Sequence, residues 1–149
     1  MIAETEAYKL LVADEELNRL FNQFRGKEFP GGYKQGIFTY DIPEKPTNMK
    51  QKELAPFARI YSTYEAPHEH ADDRVIAMEQ RITVNFWCKN AKQADQIAKR
   101  MDVVLESSGF ERYTANEKPR YMDSDIGLLM NVRKYCFFDW GNLEEMKGK

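Results

Sequence analysis

His68, Glu69, His70, Asp72 and Asp73 are the residues whose types come nearest to a reactive site, because imidazole and carboxylate groups together supply the ligands of zinc centres. On an extended strand His68 and His70 share a face. A zinc site needs three or four convergent ligands held by further hydrogen bonds, however, and the chain has only 2 histidines, both in this segment. The segment, EAPHEHADD, reads as a solvated loop. A small metal-dependent enzyme using His68, His70 and the nearby acids is the alternative from a different functional class. Nucleophilic catalysis needs a serine or cysteine beside a base, and with both histidines confined to one loop no such arrangement stands out. The carboxylates elsewhere lie on helix faces and loops, where solvated charge is the default. Gly31, Gly32 and Gly36 match neither a Walker loop nor a dinucleotide fingerprint, since no strand immediately precedes them. No catalytic residue, metal ligand set or cofactor-binding residue is assigned, and the reading is of a chain that is not an enzyme.

The remaining chemistry is that of contact. Trp87 falls in the polar phase of its strand and Trp140 follows the last strand. Tryptophan, tyrosine and arginine are the usual anchors of protein interfaces, so Arg59, Tyr61, Trp87, Arg133 and Trp140 are the candidate interface residues. Ordinary packing is the competing reading for both tryptophans.

The elements that position these residues centre on 81–109, RITVNFWCKNAKQADQIAKRMDVVLESSG. Ile82, Val84, Phe86 and Cys88 alternate with Arg81, Thr83, Asn85 and Trp87, which predicts a strand with one covered face and one more polar face. Asn90 as cap, Gln93 three residues on, a stripe of Ala94, Ile97, Ala98, Met101, Val104 and Leu105, and Gly109 as a stop predict a helix that covers that face. Upstream, Ala7, Leu10, Leu11, Leu17, Leu20, Phe21 and Phe24 mark a helical face over about residues 4–24. Its interruption at 13–16 leaves one helix or two, the second capped by Asp14, and Pro30, Gly31 and Gly32 end it. Short strands are expected over 36–41 and over 56–64, the latter at a sheet edge because a proline opens it. The polar stretch 43–54 reads as a surface loop. Residues 74–88 form one long strand that projects as a hairpin arm or bends at a bulge. Two more strands follow at 110–115 and 126–138, joined by a polar turn, and Ile126, Leu128, Met130 and Val132 share a phase. The tail from Asp139 to Lys149 carries Trp140, Leu143 and Met146. The fold class is therefore α+β, a mostly antiparallel sheet with helices on one face and a projecting hairpin arm, with residues 1–138 as one domain and 139–149 as a C-terminal tail.

Composition agrees with a packed domain. The chain has 149 residues, a formal charge of −2 and 13% aromatic residues, enough for a core without staples and without the basic face that sequence-independent nucleic-acid binding needs. Cys88 and Cys136 lie in predicted strands and read as small apolar residues in a reducing compartment. The acidic N-terminus does not match a signal peptide, and no apolar run approaches the roughly 18 residues of a membrane span.

In order along the chain, AYKLLVADEELNRLF, YDIPEKP, APFARIYSTYE, RITVNFWCKNAKQADQIAKRMDVVLESSGF and LLMNVRKYCFF resemble the tail-terminator or tail-completion proteins of long-tailed bacteriophages over nearly the whole length. The most specific element is the strand–helix unit with Phe86-Trp87 ahead of the helix, preceded by a Pro-Phe strand and followed by a hairpin. The resemblance implies a virion protein at the head-proximal end of the tail, present in the host cytoplasm during assembly. Its subunits would form a ring, usually a hexamer, that caps the tube of major tail protein, stops polymerisation, meets the head-completion or connector protein and lets DNA pass without specific binding. It implies no catalytic residue. A head-side connector adaptor is the alternative within the same class, and a small-molecule-binding α+β regulator is a further one.

Overall fold

The computed structural model describes residues 1–32, 35–45, 47–71, 74–113 and 118–140, without the side chains of 69–71 and 74–76. The strand–helix unit sets the frame. Strand β3 (Arg74–Cys88) buries Ile82, Val84, Phe86 and Cys88 on one face, and helix α3 (Ala91–Glu106) lays the expected stripe of six residues against the same core. Asn90 accepts from the Gln93 N–H at 2.9 Å while Gln93 Oε1 accepts from the Lys89 N–H at 3.1 Å, so the side chains satisfy donors that a helix start leaves unpaired. At the other end Gly109, at φ +93°, turns the chain back so that the Phe110 N–H reaches the Leu105 carbonyl at 3.0 Å.

The N-terminal helical face resolves into two helices, α1 (Ala3–Ala13) and α2 (Glu15–Arg25), and the reason is Asp14. Its extended backbone breaks the run, and its carboxylate caps α2 by accepting from the Leu17 N–H at 2.8 Å. Arg100 of α3 donates to the same carboxylate through Nε at 2.8 Å and Nη2 at 2.6 Å, tying the break to the third helix. α2 stops at Arg25, ahead of the Pro-Gly-Gly segment, because Gly26 at φ +83° provides a left-handed cap.

The fold is α+β: among the described residues three α-helices pack against a six-stranded, mostly antiparallel open sheet in the order β1-β2-β3-β6-β4. β1 (Ile37–Thr39) pairs parallel with β2 (Phe57–Ala71), and β2 and β3 form an antiparallel hairpin. β6 (Leu128–Asp139) is long enough to hold two partners on its outer edge: β4 (Glu111–Tyr113) opposite residues 134–136 and β5 (Arg120–Asp123) opposite 128–131. No helix of the described residues is long and apolar enough to cross a membrane.

Four expectations are corrected. Residues 65–71 are not a loop: β2 runs on to Ala71, paired across to β3, with register shifts between Ser62 and Tyr64, Pro67 and Glu69, and Glu69 and His70. Pro67, which has no N–H to give, is accommodated at one of these irregularities. Over Ala58–Ile60 β2 is not an edge, since β1 covers it there. The polar turn before the last strand contains β5, which closes on β6 through a turn in which the Gly127 N–H reaches the Asp123 carbonyl at 2.8 Å. The 43–54 stretch is more than a surface loop, because Met49 and Leu54 are buried in a second apolar cluster with Phe29, Phe38, Ile42, Ala55, Phe57, Trp87, Leu128 and Met130. That cluster lies on the sheet face opposite the helices. Arg25 holds it in register with α2: its guanidinium donates from Nε to the Leu54 carbonyl at 2.8 Å and from Nη2 to the Gln35 carbonyl at 3.0 Å and to the Pro56 carbonyl. Burial lowers its pKa to about 10, so it stays charged at neutral pH, and these carbonyls replace its lost hydration.

Candidate assembly surface

The helix-free face is built in rows by the ladder register. Phe57, Trp87 and Met130 form one row, Arg59, Asn85 and Val132 the next, then Tyr61, Thr83 and Lys134, and then Tyr64, Arg81 and Cys136. The first row is roofed by Ile42, Met49, Leu54 and Ala55. Beyond it the face opens into a groove of about 380 Å³ lined by Arg59, Tyr61, Asn85, Lys118, Tyr121, Met130 and Val132. Asn85 is 1% exposed and accepts from Arg59 Nε at 3.0 Å, and Thr83, fully buried, accepts from Lys134 Nζ at 3.0 Å. Thr83, Asn85 and Trp87 of the polar phase of β3 are therefore buried as well, the first two bonded by the cationic heads of Lys134 and Arg59. Lys118 is held beside the groove by the next residue, since the Pro119 carbonyl accepts from the Val132 N–H at 2.8 Å.

Cations stacked on aromatic rings recur along this face. The Arg59 guanidinium lies 5.3 Å from the Tyr61 centroid and 5.6 Å from that of Trp87, Lys50 Nζ lies 4.7 Å over Trp87, and Arg81 lies 4.5 Å over Tyr64 and 5.4 Å over Tyr113. Arg81 also donates to Glu79, and that hydrogen bond raises its pKa further. Among the described residues, the groove lining itself holds two cations and no carboxylate. Asp41 approaches Arg59 at 3.6 Å, but its side chain is 90% exposed, so that ion pair neutralises little of the guanidinium charge. The surface suits an extended, negatively charged segment.

Of the five residues nominated from sequence, the structure brings Arg59, Tyr61 and Trp87 onto this face and separates the other two. Trp87 is not an exposed anchor: it is 2% exposed, stacked on Phe57 at 5.4 Å, with Nε1 donating to Asp123 Oδ2 at 3.0 Å. Arg133 lies on the opposite face beneath α3 at 7% exposure, donating to Asp102 and to the Tyr135 hydroxyl. Tyr135 in turn donates to Asp102 at 2.6 Å, and burial followed by that hydrogen bond raises its pKa. Arg133 thus works inside the chain. Trp140 is 45% exposed, just past the end of β6.

Sequence reasoning missed Lys50, Lys118 and Tyr121. They sit in segments read as polar turns, and no periodicity there indicates a side. It also left the sides of β6 unassigned: the apolar phase Leu128, Met130 and Val132 faces the open side, while Asn131, Arg133 and Tyr135 face the helices. Cys88 and Cys136 are free thiols, each with its pKa raised chiefly by burial. Of the histidine cluster, His68 packs on Phe138 at 4.5 Å with Nδ1 3.6 Å from Glu79, whereas the side chains of Glu69 and His70, all of Asp72 and Asp73, and Leu143 and Met146 of the tail lie outside the described residues. Among the described residues no group of three or more His, Cys, Asp and Glu is placed to hold a metal ion. Compared with known proteins, the chain matches no family model and no curated protein.

Proposed function

We propose that this chain is a ring-forming structural subunit that caps the tail tube of a long-tailed bacteriophage, ends tube polymerisation and offers the surface on which the head connector docks. The observation that carries the reading is the β2–β3 arm. Both strands are 15 residues long, yet β6 accompanies β3 only from Met78 to Cys88 and β1 accompanies β2 only from Ala58 to Ile60. Among the described residues, the outer side of β2 beyond Ser62 is a sheet edge with no strand beside it. Such an edge is a template for pairing with another chain, and the register shifts along it limit indiscriminate pairing by twisting it. An arm at one end of a sheet and a recessed face at the other make a head-to-tail contact, which generates a closed ring when the rotation between subunits closes. The resemblance of the order of elements to that of tail terminators supports reading the ring as the cap of a tail tube, with DNA passing its channel without a sequence-specific contact.

Light scattering and electron microscopy of the purified protein, alone and mixed with the tail-tube protein of the same phage, test this. Rings in solution or at tube ends, with tube growth arrested, are the expected result. A protein that stays monomeric at high concentration and never associates with the tube rejects the reading, and co-purification with the portal ring in place of the tube would make it a head-side adaptor.

A further inference from the structure

We infer that the open-face groove bounded by Arg59, Tyr61, Lys118 and Tyr121 is the receptor for the acidic β2–β3 arm of a second copy of this chain, an inference that rests on the ring reading above. Charge complementarity is the first ground. Residues 65–73 carry four carboxylates (Glu65, Glu69, Asp72 and Asp73) in sequence, and the facing stretch 74–78 adds one cation, Arg74, so the arm is net negative. Among the described residues, the groove presents Arg59 and Lys118 with no carboxylate in its lining. Its tyrosines add flat, amphipathic contact area beside the cations, the composition that anchors interfaces.

Reach is the second ground. Arg59 and Tyr61 stand near the start of β2 and Ala71 ends it, so the arm leaves the groove behind by about 33 Å of extended strand at roughly 3.3 Å per residue. A strand cannot double back along itself, and the arm of one copy is thereby available only to the groove of another. The contact is heterologous, the geometry a ring requires. The extended arm would lie along the rows of the open face, its carboxylates meeting Arg59 and Lys118, with Lys134 in the neighbouring row.

Charge reversal on each side, separately and together, provides the test. The groove set is Arg59→Glu with Lys118→Glu. The arm set is Glu65→Lys, Asp72→Lys and Asp73→Lys, and a fifth-order variant carries all of these changes. Sedimentation velocity and electron microscopy of each, with circular dichroism to establish folding, should show either set alone weakening ring assembly by about tenfold or more, and the combined chain recovering most of it. Assembly of the wild type should also weaken as salt rises. Because Arg59 also bonds Asn85, Lys118→Glu alone, at an exposed position, serves if the double variant does not fold. If the wild type forms rings and both reversed sets form them equally well, or the combined chain gains nothing over the weaker set, the groove–arm contact is wrong and the ring reading survives. Loss of tube binding with rings intact would make the tube protein the occupant and also overturn the inference. A wild type that forms no ring with or without tube protein removes both.

Discussion

Trp87 and Trp140 look alike in sequence as candidate anchors, and their surroundings assign them opposite work. Trp87 is packed with Phe57, Lys50, Ile42, Met49 and Leu54, with its indole N–H satisfied by Asp123, so truncation there opens a cavity in the chain's own second core. Trp87→Ala should therefore cost about 3–5 kcal/mol in urea unfolding. Trp140→Ala, at a half-exposed position, should change monomer stability by no more than about 0.5 kcal/mol. Trp87→Ala leaving stability intact while abolishing assembly would return it to the role of an exposed anchor. Arg133 carries the same lesson: an arginine in a strand says that charge must be satisfied, and here Asp102 and Tyr135 satisfy it under a helix.

At the scale of the element, the break between α1 and α2 depends on one carboxylate with two tasks. Asp14 caps α2 and pairs with Arg100, and the two contributions separate by substitution. Asp14→Ala loses both and should cost about 1–2 kcal/mol, whereas Asp14→Asn keeps a capping oxygen and should lose only about 0.5 kcal/mol. The Arg100 hydrogen bond, aided by the Leu17 N–H and opposed by desolvation, holds the Asp14 carboxyl below the usual aspartate range. Because the folded pKa is depressed, its stabilisation is present above the ordinary aspartate value and disappears as pH falls through the folded value. The stability gap between wild type and Asp14→Asn should thus be constant near neutrality and close below about pH 4, as read from chemical denaturation at stepped pH. A gap that persists in acid would mean that Arg100 contributes nothing through this pair.

Across the whole molecule, the sheet is covered on both faces but by different means. Three helices close one side with a regular apolar stripe, while the other is roofed at one end by an irregular segment and left as a cation-lined groove beyond it. The arm stands outside both clusters over most of its length. Replacing residues 67–78 by Asn-Gly joins Ala66 to Glu79, which already face each other across the ladder, through a two-residue hairpin turn. The shortened chain should keep its α+β circular dichroism and unfold in one cooperative transition, yet fail to form rings. Loss of cooperative folding would instead make the arm part of the monomer's stability.

What the sequence by itself determined is whatever follows from local period and capping: the covered face of β3, the six-residue stripe of α3, Asn90 as its cap, Asp14 as a helix start and the α+β class. These rest on contacts a few residues apart, so neighbouring side chains carry the whole signal. The parallel pairing of β1, the existence of β5, the burial of Trp87 and the side on which Arg133 lies were decided only in the tertiary structure. A period of two announces two faces without saying what covers either, and strand order and register then bring Arg59 from β2 beside Lys118 and Tyr121 from segments about sixty residues away. Half of the groove was legible as unusual cations and aromatics on strands. The other half came from loops, whose positions depend on long-range packing such as the Arg25 bridge to the Leu54 and Pro56 carbonyls, for which no local pattern exists.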